Sequence, residues 1–123
     1  MSNAYPDKLQ LHIDGEWIDG EDRDIHQVVN PATGETISDL PKATTADLDR
    51  ALDAADRAFP VWRDTPVAER AAILHKAADL MRERAPEIGR LMTYEQGKPL
   101  GQAIGEVTAS ASHFDIMAEE AKR

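Results

Sequence analysis

Tyr94-Glu95-Gln96-Gly97-Lys98-Pro99-Leu100 stops one helix, turns, and starts the next within a few residues. Gly97 suits the position just past a helix end, because it takes a positive φ with no Cβ to clash. Pro99 suits a helix start, where the missing N–H is no loss. Working outward, Pro86 restarts the chain at the upstream helix, which carries Ile88, Leu91 and Met92 inward. Downstream, Leu100, Ala103, Ile104, Val107, Ala111, Phe114, Ala118 and Ala121 recur at helical spacing along one apolar stripe. That stripe continues almost to Lys122-Arg123 without a Gly, Asn or Pro stop, so the sequence reads there as cut rather than concluded.

Two more helices precede these. Thr44 with Asp47 resembles a capping box, with Asp in place of the longer Glu or Gln. Leu48, Ala51, Leu52, Ala55 and Phe59 then line one face, and Pro60 predicts an end near Phe59. Thr65 as N-cap and Pro66 as first helical residue predict the next start, with Ile73, Leu74, Ala77, Leu80 and Met81 buried.

From Leu9 to Leu40 the period shortens to that of strands. Leu9 to Ile13 alternates, Asp14-Gly15 marks a two-residue turn, and Glu16-Trp17-Ile18 resumes the alternation. Ile25 to Val29 and Glu35 to Leu40 flank a second turn at Asn30-Pro31-Ala32-Thr33-Gly34. The expected fold is therefore α/β: two N-terminal β-hairpins followed by helices. Residues 1–8 are set aside as a disordered N-terminus or tag remnant, since Ser2-Asn3-Ala4 resembles a cleavage scar. Residues 9–123 form the folded part, short enough for one ordinary domain.

Composition narrows the function. A net charge of −9 repels phosphate backbones and anionic lipid heads, which argues against nucleic-acid and membrane partners. No apolar run approaches a membrane span and no secretion signal opens the chain, so a cytoplasmic location is expected. The chain has no cysteine, which excludes disulfides, thiolate metal sites and a cysteine nucleophile within it.

Few residues suggest chemistry. His12, His26, His75 and His113 have no metal-binding spacing. Gly97, Gly101 and Gly105 do not make a dinucleotide fingerprint, since they surround a helix start instead of following a strand. Gly101 and Gly105 share a helix face with the low-bulk Ala109, Ser110, Ala111 and Ser112, which predicts close helix packing. Glu95 sits in a last helical turn, where the dipole disfavours an acid, and so calls for a cation or a donor such as Lys98. Glu106 faces away from the apolar stripe and reads as solvated.

The junction from Tyr94 to Leu100, with Glu106-Val107, resembles the matching helix junction of the aldehyde dehydrogenase superfamily. The resemblance extends to Ile13-Asp14-Gly15-Glu16-Trp17, Val29 to Glu35, Ala54-Ala55 with Ala58-Phe59 and Trp62, and Glu69-Arg70 with Ile73-Leu74. Among subgroups, Glu95 to Leu100 and Met117 to Arg123 look most like succinate-semialdehyde dehydrogenases.

The resemblance implies the N-terminal part of a Rossmann-like cofactor-binding domain in an enzyme that oxidises an aldehyde with NAD or NADP. In that chemistry a cysteine thiolate attacks the aldehyde, hydride passes to the nicotinamide, and activated water releases the acid. The family's cysteine, base and oxyanion donor are expected beyond Arg123, as are the dinucleotide-binding residues, so this chain supplies no catalytic or cofactor-binding residue. It further implies a monovalent cation held by a backbone carbonyl of Val28 or Val29 and by Glu95, with pairing of Glu95 to Lys98 or to a residue beyond Arg123 the alternative. Ala109 and His113 are expected to line the substrate channel, and the intact enzyme to be a homodimer or homotetramer. Alone, the chain is expected to be inactive and poorly stable. The competing reading is a free-standing helical interaction module derived from the family, exposing the Gly101/Gly105 face and the Leu100–Phe114 stripe.

Overall fold

The computed structural model describes residues 5, 6, 8–20 and 22–122. Four strands, β1 (Leu11–Ile13), β2 (Glu16–Ile18), β3 (Ile25–Val29) and β4 (Thr36–Pro41), precede four helices. The helices are α1 (Thr45–Asp64), α2 (Val67–Glu83), α3 (Ala85–Gln96) and α4 (Leu100–Glu120). Where the length suggests one domain, the chain divides into two compact units, Met1–Arg63 and Asp64–Arg123.

The first unit is built on turns. β1 and β2 pair antiparallel, with His12 opposite Trp17 and their rings 4.6 Å apart. Asp14 and Gly15 both take positive φ, 55° and 81°, so the two-residue turn follows the twist of its strands. β3 and β4 form the second hairpin. Its turn closes through Asn30, whose side chain accepts from the Ala32 amide at 2.9 Å and whose carbonyl accepts from Gly34 at 2.8 Å. Gly34 has φ 74°, which a side chain would resist. Tyr5 is buried and Lys8 bridges to Asp39, both inside the stretch that the sequence reading sets aside. Ser2, Asn3 and Ala4 lie outside the described residues.

The capping box at α1 forms in full. The Thr44 amide donates to Asp47 Oδ2 at 2.8 Å, and the Asp47 amide donates back to Thr44 Oγ1 at 3.2 Å. Arg23 donates to the other carboxylate oxygen at 2.6 Å, so this short acid is buried with both of its oxygens bonded. These bonds, those from Thr44 first, hold the Asp47 carboxyl below the ordinary value of 3.8.

Two expectations for α1 fail. The helix runs through Pro60 to Asp64. The bond that Pro60 forgoes belongs to the carbonyl of Asp56, an exposed residue. The apolar face is also open: Leu48, Leu52 and Phe59 are each more than half exposed, and Asp47 is the buried residue of the helix.

In the second unit α2 and α3 both pack on α4. Its buried residues are small: Ala71, Ala78, Ala85, Ala103, Val107, Ala111 and Ala118. Alanines at the contacts let helix axes approach closely. α2 begins one residue later than expected, with Pro66 rather than Thr65 as N-cap, and its carbonyl accepts from Glu69 and Arg70. α4 likewise begins at Leu100 behind Pro99. The inward face of α2 turns away from Ile73, which is 54% exposed, toward Ala71 and Ala78. On α4, Leu100, Phe114 and Ala121 are exposed, so of the expected stripe Ala103, Val107, Ala111 and Ala118 are the buried residues.

The close approach predicted for Gly101 and Gly105 occurs elsewhere. A Cβ at either would meet nothing within 4 Å, whereas one at Gly89 would lie 2.7 Å from Ile104 Cγ1. Gly89 is the contact at which α3 needs to lack a side chain.

Candidate functional site

The helix junction is built as its sequence indicates. Gly97 takes φ 72° and donates to the Thr93 carbonyl at 2.9 Å, closing α3. Thr93 Oγ1 donates to the Gly89 carbonyl at 3.0 Å in the same last turns. Glu95 lies exposed one residue before the end of α3, a helix with no basic residue in its last turn. Lys98 forms an ion pair with Glu106, so Glu106 is engaged rather than simply solvated.

Val28 and Val29 end β3, Val28 half-buried and Val29 43% exposed. Val28 pairs with Ser38 and Val29 with Thr36, leaving Ile37 as the extra residue of a bulge. The regular exchange of N–H and C=O bonds is thus interrupted beside the two carbonyls singled out by the sequence. Carbonyl and carboxylate oxygens are the donors that a hard cation accepts, so these residue types fit such an ion. Val28 and Val29 belong to the first unit and Glu95 to the second. Among the described residues no cluster of three or more His, Cys, Asp or Glu could hold a metal ion.

Ala109 and His113 stand one turn apart on α4, and both are exposed. They share that surface with the open Gly105, which leaves a shallow, low-bulk face. The first unit also holds a cleft of about 260 Å³ lined by Lys8, Leu9, Asp19, Gly20, Ile25, Asp39 and Pro41. None of the sequence-predicted site residues lines it.

One cluster was not foreseen. His75 of α2 places Nδ1 2.7 Å from Asp115 Oδ1 and Nε2 3.1 Å from Glu119 Oε1, both on α4. Arg82 also bonds Asp115, and Lys122 donates to Glu119 at 2.7 Å. Bonding to Asp115 first, then to Glu119, raises the His75 pKa above the ordinary 6.5. Arg82 first, then His75, lowers that of Asp115, and Lys122 first, then His75, lowers that of Glu119. The spacing of Asp115 and Glu119, four apart on one face, was the available signal.

The model for the aldehyde dehydrogenase family matches residues 17–123. A glutarate-semialdehyde dehydrogenase of Pseudomonas putida is 48% identical over 123 residues, covering all of this chain and 26% of the relative. An NADP(+) succinate-semialdehyde dehydrogenase of Escherichia coli is 44% identical over 122 residues, 99% of this chain and 25% of the relative. The crystal structure of an aldehyde dehydrogenase from Brucella melitensis biovar abortus superposes with a TM-score of 0.90 at 40% identity, over 100% of this chain and 25% of that one. The chain therefore spans about a quarter of the length of the relatives it matches.

Proposed function

Because the chain belongs to the aldehyde dehydrogenase family, we propose that it is the N-terminal portion of an NAD(P)-dependent enzyme oxidising a semialdehyde to a carboxylate. Identity of 48% and 44% along essentially the whole chain to dehydrogenases of two such substrates is the observation that carries this reading. The folded segment contributes hairpins and helices to the cofactor-binding domain. Succinate and glutarate semialdehydes are the first substrates to try, with NADP beside NAD. The assembled enzyme acts in the cytoplasm as a homodimer or homotetramer. No helix among the described residues is long and apolar enough to cross a membrane.

Within this reading the chain's residues position rather than react. With no cysteine, the chain has no thiolate to form the covalent intermediate. Ala109 and His113 line the approach of the aldehyde. The Glu95 carboxylate acts as an oxygen ligand to a monovalent cation. Potassium should then raise the melting temperature of the native chain at constant ionic strength and leave Glu95→Gln unmoved. Equal response in both would remove Glu95 from that role.

The deciding experiment follows nicotinamide reduction with each semialdehyde. The 123-residue chain should give none, and a polypeptide extended through the family's cysteine-bearing segment should give turnover. Reduction by the short chain would refute the assignment of its chemistry to other residues. An extended protein inactive toward both semialdehydes would refute the substrate class.

A further inference from the structure

The His75 cluster stands apart from the proposed chemistry and is explained by proton count. A neutral imidazole carries one N–H, and its other nitrogen only accepts. Here both ring nitrogens face carboxylate oxygens, at 2.7 and 3.1 Å. An ionised carboxylate can only accept, so both bonds exist together only if the ring carries two protons. The carboxylates cannot supply the second proton, because Arg82 on Asp115 and Lys122 on Glu119 hold them ionised. The helix ends add to this demand. α4 has no basic residue in its last turn, which carries Glu119 and Glu120 against the negative end of the dipole.

We infer that His75, charged and bonded at both ring nitrogens, is a proton-dependent clasp fixing the C-terminal half of α4 to α2. When the ring gives up a proton to solvent, one of the two contacts becomes a lone pair against a carboxylate. Arg82 and Lys122 keep their own bonds, and the neutral ring keeps one of its two, so the tie between α2 and this end of α4 is weakened. The segment that loosens contains Ala118, which is fully buried in the clasped state. The folded pKa of His75 is raised, so the clasp's contribution is complete below the unfolded value of 6.5 and disappears as pH rises through the folded value.

The test is a pH series on the 123-residue chain by nitrogen-15 NMR of the His75 ring and backbone amide exchange. At pH 6.5, where a free imidazole is half protonated, both ring nitrogens should be mostly protonated. Asp115→Asn and Glu119→Gln should each lower the His75 midpoint, every unit of lowering meaning about tenfold weaker preference for the charged ring. Exchange at residues 115–120, corrected for its intrinsic pH dependence, should accelerate as His75 deprotonates, while residues 103–107 stay protected. A ring mostly singly protonated at pH 6.5 overturns the inference, as does a midpoint indifferent to both substitutions. Should either variant fail to fold, the ring measurement and exchange profile of the native chain still decide.

Discussion

Gly89 and Ile104 meet so closely that a Cβ on Gly89 would lie 2.7 Å from Ile104 Cγ1 and 2.9 Å from its backbone nitrogen. The second distance matters more, because a side chain can rotate away while a helix backbone must shift as a whole. Gly89→Ala gains up to about 1 kcal/mol in helix propensity. It also overpacks the α3–α4 contact, at a cost of about 1–3 kcal/mol. The expected balance is a lower melting temperature, measurable by circular dichroism. A variant as stable as the native chain would mean that the helices part freely.

The capping box gives a second prediction. Thr44→Ala removes the hydroxyl that accepts the Asp47 amide, and should cost about 1 kcal/mol. Asp47→Ala should cost more, since it also strips the half-buried Arg23 guanidinium of its carboxylate. The Asp47 pKa is lowered by folding, so its contribution is full above the unfolded 3.8 and lost as pH falls through the folded value. Acid titration of the melting temperature should therefore show a shallower decline in Asp47→Asn than in the native chain.

At the helix junction, Gly97 holds φ 72°. Gly97→Ala should destabilise by about 1–2 kcal/mol, the cost of left-handed backbone for a residue with a Cβ. Gly97→Asn should lose less, because Asn tolerates that region. Chemical denaturation of the two variants checks the order. Equal losses would point to a cause other than backbone conformation.

The sequence was informative where the physics is local. Asp14-Gly15, Asn30 to Gly34 and Thr44 with Asp47 act through bonds spanning two to four residues, and each stands as read. Pro60 misled because its penalty depends on whether the carbonyl of Asp56 can reach water, a property of the fold. The inward face of α2 was misread for a related reason. Ile73 is larger than Ala71 and Ala78, yet it is exposed while the alanines are buried, and Leu74, Ala77, Leu80 and Met81 are half-buried. His75 remained silent because its partners lie 40 and 44 residues away, set by the register of two helices. The family likeness supplied the residues proposed for a cation and a channel. It did not foresee the bulge beside Val28 and Val29.

Gly101 and Gly105 have a consequence for engineering. A Cβ at either position meets open space, and both residues are exposed within α4. Alanine at each should therefore stabilise the isolated chain by up to about 1 kcal/mol, through reduced freedom of the unfolded state. The double variant Gly101→Ala/Gly105→Ala should approach the sum, read as a raised denaturation midpoint with an unchanged slope. α4 thus carries a reserve of stability that two methyl groups would release, on a surface that for this chain alone has no steric reason to stay bare.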